Sequence, residues 1–306
     1  MADDNGGTIR LSDGSADYAR PPAPDGSGVK SKPKIAALAP WYGSNRLGAG
    51  RVGLALAGCE WVGIAFAGGC CEIPEIAART IVANDIHCDV VNLANVVGNE
   101  IAFGAMRSIV DKQVFHPHTL RESQEICKGF RRHYVKNGRP LLAPIWAAAY
   151  FAVAWMTRSG TAGTNGELTG KLCLRWEAGG GDSSIRYRNA VASLPAWHET
   201  LKRCTFSCLE YPEFLAKCKD RPRHGIYCDP PFPGAGEKYS NTFAESEHLF
   251  LATKLEEFSE SRIVVRYYDH PMIRDLYRES DGWTWDHWTG RKQTNRDAPE
   301  VLIVRN

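Results

Sequence analysis

The chain has 306 residues, 43% of them hydrophobic, enough to bury a full α/β core in one large domain or two small ones. With 37 basic against 35 acidic side chains its net charge is only +2, which excludes a simple polycation gripping nucleic acid by bulk charge; a DNA contact has to use a local patch. The ten cysteines lack the paired C-x-x-C spacing of a structural zinc site, and no secretory signal precedes the domain, so they are read as reduced, structural thiols of a cytoplasmic protein.

Residues 1–33, rich in Gly, Ser, Asp and Pro without apolar periodicity, are expected to form a flexible tail. The apolar run 61–65 reads as a strand, and it ends in Phe66-Ala67-Gly68-Gly69, a tight turn that lets backbone approach a ligand. A helix is expected from about Ile73. The β-branched run 80–83 closes on Asn84-Asp85, about 20 residues beyond Phe66, where an acid binds ribose hydroxyls or caps the helix that follows. The uncharged stretch 141–156 is shorter than the roughly 20 residues that span a membrane and carries Pro144 near its start, so it is read as a buried helix.

Basic residues interleave with aromatics in 128–136 and again at Arg186-Tyr187-Arg188, after the glycine-rich segment Gly179-Gly180-Gly181-Asp182-Ser183-Ser184. Such stretches pair with phosphates and stack on bases, or else form solvated helix faces; Arg186 and Arg188 are the candidates for DNA backbone contacts. The α/β rhythm then resumes. Residues 204–209 alternate as a strand, and 245–258, 262–267 and 271–277 read as helix, strand and helix. Two final strands are expected at 283–288 and 300–305.

At the end of the apolar run Gly225-Ile226-Tyr227-Cys228 stands Asp229-Pro230-Pro231-Phe232. Proline fixes its own φ and pushes the preceding residue towards extended geometry, so the pair aims the Asp229 carboxylate and the Pro230 carbonyl at one point. Two acceptors converging on one NH2 group, with Phe232 against the face of a base, suit attack by an amine on an electrophilic methyl. The segment 233–239 is a loop placed to cover a flipped base.

In order and spacing these motifs resemble the Dam-like DNA adenine methyltransferases, over roughly residues 35 to 306. Pro40-Trp41-Tyr42-Gly43-Ser44-Asn45-Arg46 resembles the amino-terminal cofactor motif of that family, and the Phe66 glycine turn its methionine-binding turn. The resemblance implies an α/β Rossmann-like methyltransferase sheet with helices on both faces, formed by 34–95 and 204–306. It also implies a mainly helical target-recognition insertion at 96–203. S-adenosylmethionine would be the methyl donor, with no metal required, held by Trp41, Tyr42, Asn45, Phe66, Gly68, Gly69, Asp85, Glu210 and Asp229. Asp229, Pro230, Pro231 and Phe232 would be catalytic. Glu210 reads equally as the acid that opens the next helix. Two positions depart from the family: uncharged Asn45 (with Arg46 beside it) stands where lysine is usual, and Cys70-Cys71 follows the glycine turn.

The implied partner is DNA carrying adenine in a short duplex target, alongside a cognate restriction endonuclease. Rival readings are amino-methylation of cytosine, of RNA or of protein glutamine, and a degenerate relative that binds DNA without transfer. A dehydrogenase would also use the glycine turn and the ribose acid, but leaves Asp-Pro-Pro-Phe without a role.

Overall fold

The computed structural model describes residues 32–137, 141–158, 160–174, 182–233, 243–291 and 297–306. The expected tail up to residue 31, the run Gly179-Gly180-Gly181 and the loop from Gly234 to Tyr239 lie outside the described residues. Lys32–Asn306 forms one compact unit.

Seven strands make one sheet: β1 (Trp61–Ile64), β2 (Thr80–Asn84), β3 (Cys204–Ser207), β4 (His224–Cys228), β5 (Arg262–Tyr268), β6 (Thr284–Arg291) and β7 (Asp297–Arg305). Their order is β3-β2-β1-β4-β5-β7-β6. The first five are parallel, and β7 runs antiparallel between β5 and β6. Strand order reverses between β1 and β4, the switch point at which an open α/β sheet leaves a crevice at its carboxyl edge. Ile64 pairs with Tyr227 there, and the Ala65 N–H donates to the Tyr227 carbonyl at 3.0 Å. The glycine turn and the Asp229 motif therefore leave the sheet side by side.

Successive strand residues point to opposite faces, and both faces are covered. Tyr227, Val264 and Leu302 join one core, while Ile226, Cys228, Ile263, Val265, Val301 and Ile303 join the other. The first core takes α1 (Ala49–Ala55), α2 (Cys88–Gly98), α3 (Glu100–Val110), α4 (Pro117–Asn137), α5 (Pro144–Met156) and α6 (Ser183–Leu201). The second takes α7 (Tyr211–Lys217), α8 (Glu245–Glu256) and α9 (Pro271–Leu276). Helix α5 is apolar all round and is enclosed by α2, α3, α4 and α6, with every residue from Trp146 to Met156 buried. The interval 96–203 is thus helical as expected, but it is built into the core of the sheet face. Among the described residues no helix is long and apolar enough to cross a membrane.

Two expected elements are shorter than the sequence reads. In place of a helix from Ile73 there is a single 3-10 turn, Ile73–Glu75, with Pro74 inside it. The Arg203 guanidinium takes the carbonyls of Ile73, Ile76 and Ala78 at 2.8 to 3.0 Å, so they are satisfied without a helix. Strand β3 stops at Ser207 because the Asn84 amide intervenes: it accepts the Leu209 N–H at 3.0 Å and donates to the Leu209 carbonyl at 2.9 Å.

Candidate active site

A cavity of about 350 Å³ opens at the carboxyl ends of β1, β2 and β4. All nine residues expected to hold a methyl donor line it: Trp41, Tyr42, Asn45, Phe66, Gly68, Gly69, Asp85, Glu210 and Asp229. Arg46, beside Asn45, is exposed and is absent from the lining.

Backbone holds the amino-terminal segment in place. Tyr42 N–H donates to Ala162 O at 3.0 Å and Gly160 N–H to Pro40 O at 2.9 Å. The Trp41 indole then lies between two glycines with positive φ. A Cβ added to Gly68 (φ +45°) would stand 3.0 Å from the ring, and one on Gly163 (φ +81°) 2.6 Å. Only glycine allows both approaches.

Asp85 fixes the glycine turn from the end of β2. Its Oδ2 accepts the Gly68 N–H at 2.7 Å and its Oδ1 the His87 N–H at 2.9 Å, so this acid organises backbone as well as facing the cavity. Burial pushes its pKa up, and the two amide donors oppose that shift. Glu210 occupies the N-cap position of α7 yet makes no side-chain cap hydrogen bond, leaving its carboxylate to the cavity. Beside it Phe66, Tyr211 and Phe243 form an aromatic trio with centroids 5.3 to 5.9 Å apart. The Tyr211 hydroxyl donates to Glu247 at 2.6 Å.

Asp229 ends β4 next to Arg266 on β5, whose Nη1 donates to both carboxylate oxygens at 3.1 and 2.9 Å. Its Nη2 and Nε donate to Glu300 of β7 at 2.8 and 3.1 Å, and Nη1 also reaches the Gly43 carbonyl at 3.2 Å. Burial pushes Asp229 up to about 6, against the pull of Arg266. Pro231 lines the cavity; Pro230 and Phe232 are not in the lining. The Phe232 ring is 8% exposed, with the Arg266 guanidinium 5.0 Å from its centroid and Tyr268 edge-on at 4.5 Å. In this arrangement it buttresses the arginine that holds Asp229, so the free ring face expected for stacking on a base is not presented.

Sequence reading missed Glu72, which is 5% exposed and lines the same cavity. Its Oε1 accepts the Tyr227 hydroxyl at 3.3 Å, and burial, then the nearby Asp229 charge, pushes it up to about 7. Its place just after Cys70-Cys71 was the available signal. Both thiols are buried and are pushed up by burial; Cys71 lies 2.7 Å from the Ser44 hydroxyl. All ten cysteines are free.

Within the basic stretch of α4, Arg131 and Phe130 turn inward, while Arg132 and His133 are exposed. Arg131 pairs with Asp89 at 2.6 Å and with Glu167, and Phe130 stacks on Trp146 at 5.3 Å. His87, 2.7 Å from Glu167, completes this buried network and meets Trp41 edge-on at 5.1 Å. His87, Asp89 and Glu167 have ligand atoms close enough together for a metal, but the Arg131 cation stands among them. Of the two candidate phosphate contacts, Arg186 is committed to structure: its Nη2 donates to the Trp155 and Thr157 carbonyls, both at 2.9 Å, capping the end of α5. Arg188 is exposed.

No curated protein matches the chain. Among solved structures it is similar to the magnesium protoporphyrin IX methyltransferase (ChlM) of Synechocystis PCC 6803 with bound SAM, at 12% identity over 85% of this chain and 79% of that chain, with a TM-score of 0.34. A family model described as D12 class N6 adenine-specific DNA methyltransferase matches residues 65–292, from the glycine turn through the Asp229 motif to β6. The chain belongs to that family, the one its ordered motifs resemble, and is a methyltransferase that uses S-adenosylmethionine as methyl donor.

Proposed function

We propose that this enzyme methylates the N6 amine of an adenine flipped out of a short duplex target in DNA. The observation that carries the proposal is Asp229, held by Arg266 at the switch point of the sheet, in one cavity with the Gly68–Asp85 turn.

The residues fit the donor. Gly68 and Gly163 keep the wall beside Trp41 free of side chains, Asp85 retains lone pairs for ribose hydroxyls, and the aromatic trio beside Glu210 suits an adenine ring. S-adenosylmethionine supplies an electrophilic methyl group. The protein supplies alignment: the Asp229 carboxylate and the Pro230 carbonyl accept the hydrogens of the target amine and turn its lone pair out of the ring plane. Arg266 keeps the Asp229 carboxylate ionised and oriented, and Phe232 packs behind Arg266. A stacked base cannot present its amine to a recessed cavity, so extrusion, at a cost of about a few kcal/mol, is part of the proposal. The helical interval 96–203, with exposed Arg188, is proposed as the target-recognition region. Methylation of such a target would block a cognate restriction endonuclease that cuts it.

The test incubates the protein with labelled S-adenosylmethionine and unmethylated genomic DNA, digests to nucleosides, and compares wild type with Asp229→Ala. Label on N6-methyladenine, lost in the variant, is the expected result. Label on cytosine or on RNA would move the reading to a different acceptor.

A further inference from the structure

The cavity is lined by five carboxylates, Glu72, Asp85, Glu210, Asp229 and Glu247, and by no lysine or arginine among the described residues. Four of the five have an evident occupation or an open position. Asp85 holds two backbone N–H groups, Asp229 has Arg266, Glu247 accepts the Tyr211 hydroxyl, and Glu210 is exposed at the mouth. Glu72 differs: it is nearly fully buried, and no cationic side chain among the described residues lies within ion-pair distance of it.

Its surroundings deepen the imbalance. Asn45, 2% exposed, is oriented by the Gly48 N–H, which donates to its Oδ1 at 3.0 Å; its amide nitrogen then donates to the Tyr227 hydroxyl at 3.4 Å. Tyr227 in turn donates to Glu72, so this chain of hydrogen bonds brings dipoles but no charge. Nearby, Asp229 and Glu300 share the single guanidinium of Arg266. Three carboxylates, buried Glu72 and Glu300 and part-buried Asp229, thus share the field of one buried cation. A buried charge without a counter-ion is costly, and Glu72 responds by holding a proton near neutral pH.

We propose that Glu72 binds the α-ammonium group at the methionine end of the methyl donor, an inference that rests on reading the cavity as the S-adenosylmethionine site. The aromatic trio packs with the core on one sheet face, whereas Glu72 reaches the cavity beside Tyr227, which belongs to the core on the other. With the adenine end at the trio and the ribose at Asp85, the amino-acid end falls to the Glu72 and Asn45 side. An ammonium brings both a charge and N–H donors, which the neutral donors around Glu72 (the Tyr227 hydroxyl, the Asn45 amide and the Glu72 backbone N–H) do not combine. The sulfonium has no hydrogen to donate. The neutral amide of Asn45 leaves the Glu72 charge available to the ligand.

The test is calorimetric binding to the full chain of three probes: S-adenosylmethionine, S-adenosylhomocysteine, and the deaminated thioether in which a butyrate tail replaces homocysteine. Wild type should bind S-adenosylhomocysteine about tenfold to a hundredfold more tightly than the deaminated thioether, the range of a charge-assisted hydrogen bond. Glu72→Gln should weaken both amino-acid probes by that same factor and leave the deaminated thioether within about twofold, the coupling a double-mutant cycle isolates. Equal weakening of all three probes, or weakening of S-adenosylmethionine alone, overturns the assignment to the ammonium. If the variant does not fold, wild type alone decides, because equal affinity for S-adenosylhomocysteine and its deaminated analogue overturns the proposal. Wild type that binds none of the three overturns the cofactor reading together with it. Binding of all three with no effect of Glu72→Gln overturns the role of Glu72 and leaves the cofactor reading standing.

Discussion

Arg266 Nη1 donates to both carboxylate oxygens of Asp229, at 3.1 and 2.9 Å, because β4 and β5 run in a register that pairs Cys228 with Val265 and sets the next residues side by side. The first acid of the Asp-Pro-Pro-Phe motif is therefore not a free carboxylate at a strand end. It is the part-buried arm of an Asp229–Arg266–Glu300 triad, otherwise buried, that spans three adjacent strands.

Removing the arginine should be severe. Arg266→Met strands two carboxylates in a site where the guanidinium is 3% exposed, and breaking a buried pair in this way costs about 3–5 kcal/mol. Arg266→Lys keeps a charge but not the fork that reaches Asp229, Glu300 and the Gly43 carbonyl together, so it should recover stability more than activity. Thermal melts and methyl transfer measured on the same preparations check both expectations; equal melting temperatures for wild type and Arg266→Met would dismiss the triad as a stabilising unit.

The pH dependence follows from two carboxylates raised in the folded state. Asp229 sits at about 6 and Glu72 at about 7, each pushed up by burial. A carboxyl with a folded pKa above its unfolded one binds its proton more tightly when folded, so unfolding free energy falls as pH climbs through the window between those values. For this pair the loss runs from about pH 4 and is complete above about pH 7. Glu72→Gln should flatten that decline, read as a smaller drop in Tm between pH 5 and pH 8 than wild type shows. Activity runs the other way: the amine needs the Asp229 carboxylate as acceptor, so kcat/KM should fall as pH drops through about 6.

The site was legible in the sequence where it is made of residues adjacent in the chain. The glycine turn, Asp85 and the Asp229 motif each follow an apolar run, and a strand end in an α/β sheet is where a ligand binds. What joins those motifs was legible only in part: the end of the 262–267 strand places Arg266 near the cleft, but not against Asp229. Arg266 reaches Asp229 only through strand register, and Glu72 enters the cavity from a 3-10 turn where a helix was expected. The β-branched and apolar runs foretold every strand, but Asn84 and Arg203 shortened their elements by capturing backbone carbonyls from afar. Arg131 and Arg186 read as cationic surface because a sequence shows charge without showing which side of a helix is buried.

Trp41 offers a test of fit at the cofactor wall. Gly163→Ala places a methyl 2.6 Å from the indole at a backbone φ of +81°, combining overpacking with an unfavourable left-handed residue, for about 2–4 kcal/mol in all. The indole should shift into the cavity, weakening S-adenosylhomocysteine binding by about tenfold or more. In a Trp41→Leu background the added methyl should cost much less. Calorimetry on the four proteins gives the coupling, and additive effects would mean that the glycine is needed for its φ alone.

Three arginines in the helical interval separate surface contact from architecture through salt dependence. A side chain that neutralises a phosphate releases a counterion, so losing it lowers the slope of log K against log salt by about one. Arg188→Ala should do this while leaving the melting temperature unchanged within error, because Arg188 is exposed. Arg186→Ala uncaps the Trp155 and Thr157 carbonyls, and should lower stability by about 1–3 kcal/mol without changing the slope. Arg131→Met removes a part-exposed cation from Asp89 and Glu167, which keep His87 as a partner, and should cost about 1–3 kcal/mol, again with an unchanged slope. Titrating duplex DNA by anisotropy across a range of salt concentrations measures all three. A reduced slope for Arg131→Met or Arg186→Ala would mean that these side chains leave their interior partners when DNA binds, and an unchanged slope for Arg188→Ala would move the phosphate contacts off α6.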